Sequence, residues 1–324
     1  MKKAVVIGAY GHIGSYMVPK LYEAGYEVTV ISRGIREPYT AEHPAWQQVK
    51  KLVCDRKAMT AEKTFGPFIA SLEPDVIIDT LCYNREMLEE LCEPLIANKD
   101  LAKKVKLIEI GTIWIYAYKL FSPVTEDHPH NSVSTYGSGK TEMELYIKEL
   151  AQKNLLNATI LHPGHISGAG WYPINPQGNL NPQVYADIIA GRDIILPNDG
   201  SATLHHVHAE DIARLALACI EQPEVSCGEA FHATSPAALT LRGFAELLYR
   251  HFGHEPKISF VPYETFTSLV SAEDAGNTFD HISKSPCCSM EKARKLLDFT
   301  PKWSSIDTVI SAVEYKLASG ELKS

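Results

Sequence analysis

The chain has 324 residues, which is long enough to bury a large core and corresponds to roughly two domains of ordinary size. Its formal net charge of −8 is spread along the sequence without a block of like charges, which argues against nucleic acid as a main partner. The apolar run from Ala4 to Ile7 is too short for a signal-peptide core or a membrane span. We therefore expect a cytoplasmic protein that acts away from membranes.

The cysteine content agrees with this compartment. There are seven cysteines and no C-x-x-C pair, and an odd number without an export signal predicts reduced thiols, most of them buried. A redox or metal element at the adjacent pair Cys287-Cys288 is the alternative to a plain structural role.

Short β-rich runs alternate with helical stretches through the first half of the chain. The predicted strands are AVVIGA (4–9), EVTVIS (27–32), VKKLVC (49–54), DVIIDT (75–80), VKLIEIGTI (105–113) and, after a helix over 138–152, LNATILHPG (156–164). Runs that are apolar on both faces and separated by helices are typical of a parallel sheet covered on both sides. The sequence therefore predicts the α/β class, with a Rossmann-type doubly wound parallel sheet.

The second half predicts a smaller, discontinuous substrate domain. After Gly168, prolines and asparagines are dense in WYPINPQGNLNPQ, as in a long substrate-side loop. Residues 207–221 predict one further strand end and an amphipathic helix that returns to the sheet. We expect residues 1–168 plus about 206–234 to form the domain of the doubly wound sheet, and about 169–205 plus 235–324 to form the substrate-binding domain.

Gly8, Gly11 and Gly14 form a G-x-x-G-x-x-G pattern between the first strand and the first helix. The first glycine permits a tight turn, the second lets backbone approach a pyrophosphate, and the third lets the helix pack on the strand. The helix N-terminus adds N–H donors and a positive dipole. Followed by a second strand roughly twenty residues later, this pattern predicts a dinucleotide site.

The second strand ends on Ser32-Arg33, where a carboxylate would grip the ribose hydroxyls of NAD. An arginine presents a fork of donors that matches a phosphate, and a serine adds a hydroxyl without repulsion. We therefore expect NADP in preference to NAD; an arginine solvated or stacked on adenine is the alternative, and it leaves NAD open. Asp55 suits the adenine amino group, or alternatively begins a helix.

Tyr136 and Lys140 lie four residues apart and therefore on one face of a predicted helix. A nearby ammonium favours the phenolate, so Lys140 would lower the pKa of Tyr136 and could also hold the nicotinamide ribose. Thr112 lies at the carboxyl end of a predicted strand, where open α/β sheets bind ligands, and its hydroxyl can hydrogen-bond a reacting oxygen.

These motifs, together with LHPGHISGAG, VHAEDIA and KARKLLDFTPKW, resemble an extended short-chain dehydrogenase/reductase of the NAD-dependent epimerase/dehydratase family, similar to UDP-sugar epimerases. The resemblance implies that Thr112, Tyr136 and Lys140 are the catalytic triad. We expect cofactor contacts from the glycine loop and neighbouring strand ends, namely Gly8, Tyr10, Gly11, His12, Ile13, Gly14, Ser32, Arg33, Asp55, Arg56, Thr80, Leu81, Lys140, Pro163 and His165. Substrate contacts are expected from Tyr83, Trp114, Trp171, Asn179 and His206.

Departures from the family pattern bear on the substrate. Leu204 stands where nucleotide-sugar relatives often have an arginine, His165 stands where they often have an asparagine, and no arginine-glycine-aspartate stretch follows. Ile113-Trp114 replaces the acid pair of dehydratases. We therefore expect a sugar or polyol that lacks a nucleotide diphosphate, or one that binds it differently.

The expected activity is hydride transfer at a carbinol or ketone carbon of a carbohydrate-like substrate. Epimerisation of a sugar or nucleotide-sugar-like compound and NADPH-dependent reduction of a non-nucleotide ketone or aldehyde both fit these residues. A catalytically inactive cofactor-sensing or RNA-binding relative is the alternative from another class.

We expect no metal, because the histidines at 162, 165, 205, 206 and 208 lack a cysteine or carboxylate that would complete a ligand set. A homodimer is one expected assembly.

Overall fold

The computed structural model describes residues 1–323, and its centre is a seven-stranded sheet with the order β11-β6-β5-β4-β1-β2-β3. Every neighbouring pair in this sheet is parallel. Its strands are β1 (Lys3–Ile7), β2 (Glu27–Ser32), β3 (Lys50–Val53), β4 (Val76–Asp79), β5 (Lys106–Ile110), β6 (Asn157–Pro163) and β11 (Ala230–Ala233). Three two-stranded sheets comprise β7 (His165–Ser167) with β10 (His206–His208), β9 (Thr203–Leu204) with β12 (Leu239–Thr240), and β8 (Ile194–Pro197) with β13 (Ile258–Val261).

Helices connect these strands. They are α1 (His12–Glu23), α2 (Ala45–Gln48), α3 (Arg56–Ala61), α4 (Phe65–Ser71), α5 (Arg85–Ala97), α6 (Lys99–Lys104), α7 (Thr135–Gln152), α8 (Pro182–Ile189), α9 (Ala209–Glu221), α10 (Pro223–Ser226), α11 (Leu241–His251), α12 (Tyr263–Leu269), α13 (Ala272–Ile282), α14 (Glu291–Leu297) and α15 (Ser305–Ala318). A short 3₁₀ helix, Ile113–Ile115, follows β5. Within residues 1–323, none of the helices has both the length and the apolar character needed to cross a bilayer.

Apolar side chains cover both faces of the large sheet. One core packs β1, β2 and β4 against α1 and α9, for example through Met17 and Ile212. The other packs the opposite face against α4, α5 and α7, for example through Leu91 and Ile147. All four residues of β4 are buried, as a strand between two helical layers requires. The predicted α/β, doubly wound class is therefore confirmed.

A third core lies in the C-terminal half, where α8, α11 and α15 pack around Leu204, Phe244 and Val313. Residues 184–322 contribute to it, while β11 returns to the large sheet beside β6. The two-domain division with its boundaries near 169, 206 and 235 stays a prediction that this packing accommodates.

Six of the seven central strands lie within a few residues of their predicted positions. The seventh, β11, was not predicted, because its four residues AFHA are too short and too mixed to show a strand pattern. The predicted helix over 138–152 begins earlier, at Thr135, because the Ser134 hydroxyl accepts the N–H of Gly137 and caps the first turn. The seven cysteines are free thiols, of which Cys82, Cys92, Cys219 and Cys288 are buried.

The interior is unusually rich in histidine. Burial lowers the pKa of His205 and His208 to about 4, and that of His12, His206 and His232 to about 3. Neither ring nitrogen of His206 has a hydrogen-bonding partner within residues 1–323. These side chains are therefore packed in their neutral form, which makes the fold sensitive to acid.

We expect the free energy of unfolding to fall as the pH decreases from about 6.5 to about 4. The unfolded chain protonates these histidines near 6.5, whereas the folded chain binds the protons only near pH 3 to 4. The neutral buried histidines therefore do not reduce the free energy of unfolding above about pH 6.5. Below that pH, each of them lowers it by about 1.4 kcal/mol per pH unit until the folded chain also binds the proton.

Urea denaturation at a series of pH values at constant ionic strength measures this slope. His206→Phe should make the pH dependence shallower by removing one of the buried titrating groups, whereas His251→Gln, at a surface position, should leave it unchanged. An unfolding midpoint that does not change over this pH range would contradict the interpretation.

Candidate active site

A cleft of about 1150 Å³ lies at the carboxyl ends of the central strands, which is where open α/β sheets bind ligands. Most of the residues predicted to form the site line it: Gly8, Tyr10, Gly11, His12, Ile13, Ser32, Arg33, Asp55, Arg56, Thr80, Leu81, Tyr83, Thr112, Trp114, Tyr136, Lys140, Pro163, His165 and Trp171. Gly14, Asn179 and His206 do not line it. The cleft has a basic end, formed by residues 32–36 and 54–57, and an aromatic end, formed by Tyr83, Trp114, Trp171, Tyr172 and the histidines at 165 and 281.

The glycine loop is built around two close approaches. Gly8 has a φ of +82°, and a Cβ there would overlap the Thr80 hydroxyl, so only glycine fits between β1 and the end of β4. At Gly14 a Cβ would lie 2.5 Å from the backbone of Ala9, so this glycine lets α1 pack against the loop from outside the cleft.

The first turn of α1 faces the cleft. Gly11 is its N-cap, and the turn contains no acidic side chain that would compete for the exposed N–H groups. The His12 side chain stacks on Trp171, with ring centroids 5.3 Å apart. A pyrophosphate therefore fits this turn through main-chain N–H groups, in the manner predicted for a dinucleotide.

The basic end carries more positive charge than the sequence analysis predicted. Arg36 and Lys57 join Arg33 there, and Asp55 is the only acidic residue lining the cleft among the described residues. Neither Arg33 nor Arg36 forms an ion pair within residues 1–323. Ser32 accepts the N–H of Gly34, so the turn after β2 holds its hydroxyl oxygen toward the backbone.

Asp55 and Arg56 have structural partners. The Asp55 carboxylate accepts the N–H of Ala58 and caps α3, which is the alternative role considered for it. Arg56 is buried, donates to Asp79 and lies over the Phe65 ring. Arg56 also lines the cleft, so its contact with the cofactor stays a prediction. Asp79, which accepts from its guanidinium, also accepts the N–H of Leu81 and thereby shapes the wall of the cleft.

Glu109 on β5 lies beside Asp79 in the sheet register, and neither carboxylate oxygen of Glu109 has a partner in the described chain. Burial, followed by the negative charge of Asp79, raises the pKa of Glu109 well above its usual range. Asp79, Cys82 and Glu109 come close enough together to suggest a metal site. The Arg56 guanidinium already balances the negative charge of Asp79, so these residues do not favour a bound metal ion.

The three predicted catalytic side chains come together in the middle of the cleft. The Lys140 ammonium donates to the carbonyl oxygens of Cys82 and Ile110, each at 2.5 Å, and lies 5.7 Å from the centroid of the Tyr136 ring. The Thr112 hydroxyl oxygen accepts the N–H of Trp114 at 3.2 Å, which leaves its hydrogen free to donate. A third N–H of Lys140 has no acceptor within residues 1–323.

The electrostatics of Tyr136 differ from the expectation. Desolvation raises the pKa of Tyr136 above its ordinary value, and a hydrogen-bonding contact with Thr112 only partly opposes this shift. The Lys140 ammonium does not lower it, because Lys140 is directed into the two main-chain carbonyls and its own pKa is lowered by burial. The phenol of Tyr136 is therefore protonated at neutral pH, the form that can donate a proton.

A buried hydrogen-bond chain, missed by the sequence analysis, holds Thr112. His162 on β6 accepts the N–H of Thr112 through Nδ1 at 3.0 Å and bonds Glu144 of α7 through Nε2 at 2.7 Å. Because Nδ1 accepts, Nε2 carries the proton and the ring is neutral. A Cβ on Gly111 would overlap the His162 ring, so that glycine makes room for the contact.

Two predicted substrate residues are corrected. Asn179 is fully buried, and its amide nitrogen donates to Thr278 and Gln177 while its oxygen accepts from Asn175. These bonds fold the proline-rich loop onto α13 and leave Asn179 nothing to offer a ligand. His206 is fully buried behind His165, with ring centroids 5.9 Å apart, and is screened from the cleft. In contrast, His281 was not predicted, and it lines the aromatic end.

A glycine loop between β1 and α1, together with a phenol and an ammonium on α7, defines a Rossmann-fold protein built to bind a dinucleotide. The chain belongs to the NAD dependent epimerase/dehydratase family, whose model matches residues 4–233. The resemblance predicted from the sequence motifs is thereby confirmed.

Individual relatives act on nucleotide sugars. A UDP-glucose 4-epimerase from Streptococcus mutans is 26% identical over 338 residues, covering 95% of this chain and 94% of the relative. A dTDP-4-dehydro-6-deoxy-D-allose reductase from Streptomyces is 26% identical over 242 residues, covering 68% and 73% of the two chains. The solved UDP-glucose 4-epimerase of Thermotoga maritima shares the fold, with a TM-score of 0.73 at 20% identity over 98% of this chain and 99% of the other.

We expect the contacts of His162 to control turnover rather than cofactor binding. In His162→Phe the N–H of Thr112 loses its acceptor, and in Gly111→Ala the new methyl group displaces the His162 ring. Either change should lower kcat by about a hundredfold, because small displacements of a reacting group are costly. Steady-state kinetics and NADPH fluorescence titration measure the two quantities separately.

The matched control is His130→Gln. His130 also approaches Glu144, at 3.4 Å, but does not contact Thr112, so this variant should keep its kcat. Equal losses in all three variants, or loss of NADPH binding in step with kcat, would indicate a general structural role for this histidine cluster instead.

Proposed function

We propose that the protein transfers hydride between NADP and a carbinol or ketone carbon of a carbohydrate-like substrate. The observation that carries this proposal is the meeting of Thr112, Tyr136 and Lys140 in one cleft, directly beside the glycine loop. The Tyr136 and Thr112 hydroxyl groups can contact one substrate oxygen, and the Lys140 ammonium lies 5.7 Å from the centroid of the Tyr136 ring.

The residues of the cleft fit a nicotinamide dinucleotide. The N–H groups of the first turn of α1 would hold the pyrophosphate, and the free N–H of Lys140 would hold a ribose hydroxyl. When bound, the nicotinamide supplies the hydride donor or acceptor. The basic end supports NADP, because the turn after β2 offers unpaired guanidinium groups and a hydroxyl where a carboxylate would select NAD.

Proton transfer falls to Tyr136. The raised pKa of Tyr136 keeps a proton on the phenol oxygen. This proton can pass to a carbonyl oxygen of the substrate, while the Thr112 hydroxyl donates a hydrogen bond to the same carbonyl oxygen. In the oxidising direction the phenolate form is needed, and the raised pKa of Tyr136 disfavours that form at neutral pH. The geometry therefore supports reduction most directly and oxidation when the phenol is ionised.

Epimerase and reductase activities share this machinery. If the oxidised substrate stays bound and is reduced on its other face, the net reaction is epimerisation; if it leaves, the enzyme is a dehydrogenase or reductase. The cofactor found in the purified protein separates the two. Tightly held oxidised cofactor indicates an epimerase, whereas an empty site indicates a reductase.

A cofactor sensor or RNA-binding relative without activity is the alternative from another class. The intact triad and the net charge of −8 argue against it. NADPH titration without turnover on any tested substrate, or a salt-dependent RNA shift, would favour it.

We expect Tyr136→Phe to lower turnover by about a hundredfold or more while leaving NADPH affinity nearly unchanged, because it removes only the proton-transferring hydroxyl. The assay follows NADPH consumption with the fastest substrate in a panel of ketoses, aldoses and UDP-sugars. Tyr118→Phe, at an exposed position outside the cleft, is the matched control. Retention of most activity in Tyr136→Phe would rule out the triad assignment.

We expect Arg33→Asp to weaken NADPH binding by about 10- to 100-fold, the range for loss of a hydrogen bond to a charged group, and to leave NADH binding equal or stronger. Fluorescence titration with both dinucleotides gives the ratio of the two affinities. Arg250→Asp makes the same charge change at an exposed position outside the cleft and should not alter that ratio. Wild-type affinity for NADH equal to that for NADPH would refute the preference.

A further inference from the structure

Within residues 1–323, no charged side chain belongs to the aromatic end of the cleft. The charged residues that line the whole cleft are Arg33, Arg36, Asp55, Arg56, Lys57 and Lys140. The first five belong to the basic end, and Lys140 is directed into two carbonyl groups. Around the substrate, the described chain therefore offers rings and apolar groups such as Trp114, Tyr172 and Leu180.

His281 is a polar residue at this end. It lies next to the last residue of α13, and its Nδ1 is 2.7 Å from the carbonyl oxygen of Asn277 and 2.8 Å from that of Gly178. Since carbonyl oxygens only accept, Nδ1 carries the proton. Nε2, on the opposite side of the ring, has no partner within residues 1–323 and is not among the buried unpartnered atoms, so it stays open to a ligand.

The surroundings hold the ring in this state. Its edge packs against Trp114 at 5.5 Å and His165 at 5.3 Å between ring centroids. The ionisable groups that face it are Asp280, Lys284 and His165, and burial lowers the pKa of His281. The Lys284 ammonium lies 4.1 Å from the centroid of the Trp114 ring and donates to the carbonyl of Asp280, so it does not reach into the cleft.

We propose that the aromatic end takes an uncharged, hydroxyl-rich substrate, one of whose hydroxyl groups donates to Nε2 of His281. This inference rests on the proposed hydride transfer and names the class of compound it acts on. A nucleoside diphosphate brings two negative charges that need paired donors, and the neutral ring of His281 presents a lone pair to them. A sugar or polyol hydroxyl has the hydrogen that this lone pair requires, and the aromatic rings cover its apolar face.

The first experiment compares ligands on wild-type protein saturated with NADP, so that the basic end is occupied. Calorimetric titration with UDP, GDP, dTDP and UDP-glucose should show no binding tighter than about millimolar affinity. NADPH-dependent turnover should occur on an uncharged ketose or hydroxy ketone. Micromolar binding of any of the four nucleotides would overturn the inference.

The second experiment separates the two nitrogens of His281. His281→Asn retains a donor near the Nδ1 position and loses the acceptor, so KM for the hydroxylated substrate should rise at least tenfold while the NADPH dissociation constant stays unchanged. His281→Gln places an amide oxygen near the Nε2 position and should restore part of the loss. For a substrate analogue that lacks the hydroxyl group bonded to His281, the KM values of wild type and His281→Asn should be similar. An equal rise in KM for every substrate in His281→Asn would overturn the contact.

The outcomes distinguish this inference from the function on which it rests. Turnover of a UDP-sugar at micromolar KM that is lost in Tyr136→Phe would leave hydride transfer standing and remove the uncharged substrate class. Absence of binding of both NADPH and NADH would remove both.

Discussion

The site depends on the hydrogen bonds that the buried Lys140 ammonium donates. Burying a cation is costly unless its donors are satisfied, and two of them are bonded to carbonyl oxygens at the ends of β4 and β5. Those carbonyls belong to different segments, Cys82 and Ile110, so one side chain ties helix α7 to the upper edge of the sheet. The position of α7, and hence of Tyr136 one turn earlier, follows from satisfying this charge.

The same face of α7 carries a third functional group. Tyr136, Lys140 and Glu144 follow one another at intervals of four residues, so phenol, ammonium and carboxylate point the same way. Glu144 is connected through His162 to the backbone of Thr112. Burial raises the pKa of Glu144, but His162, His130 and Lys148 together outweigh this effect and lower the pKa to about 2. One helix face thus positions two members of the triad directly and the remaining one through a neutral histidine.

Periodicity and spacing predicted the parts of the molecule that local sequence determines. Each of these patterns can be recognised within a short segment: the apolar strands, the glycine loop, and the four-residue interval between Tyr136 and Lys140. The pairing of Glu144 with His162, and of Arg56 with Asp79, depends on which strands lie side by side, which no local pattern shows. Asn179 and His206 are polar residues in a loop-rich region, but internal hydrogen bonds satisfy the first and burial hides the second.

The two ends of the cleft offer different kinds of interaction to a ligand. At the basic end, exposed guanidinium groups attract a phosphate over a distance, and salt screens that attraction. At the aromatic end, recognition has to come from ring contacts and from directional hydrogen bonds such as the one open to His281 Nε2, which salt hardly affects. In the proposed function, charge therefore sets the choice of cofactor, whereas shape and the direction of single hydrogen bonds set the choice of substrate.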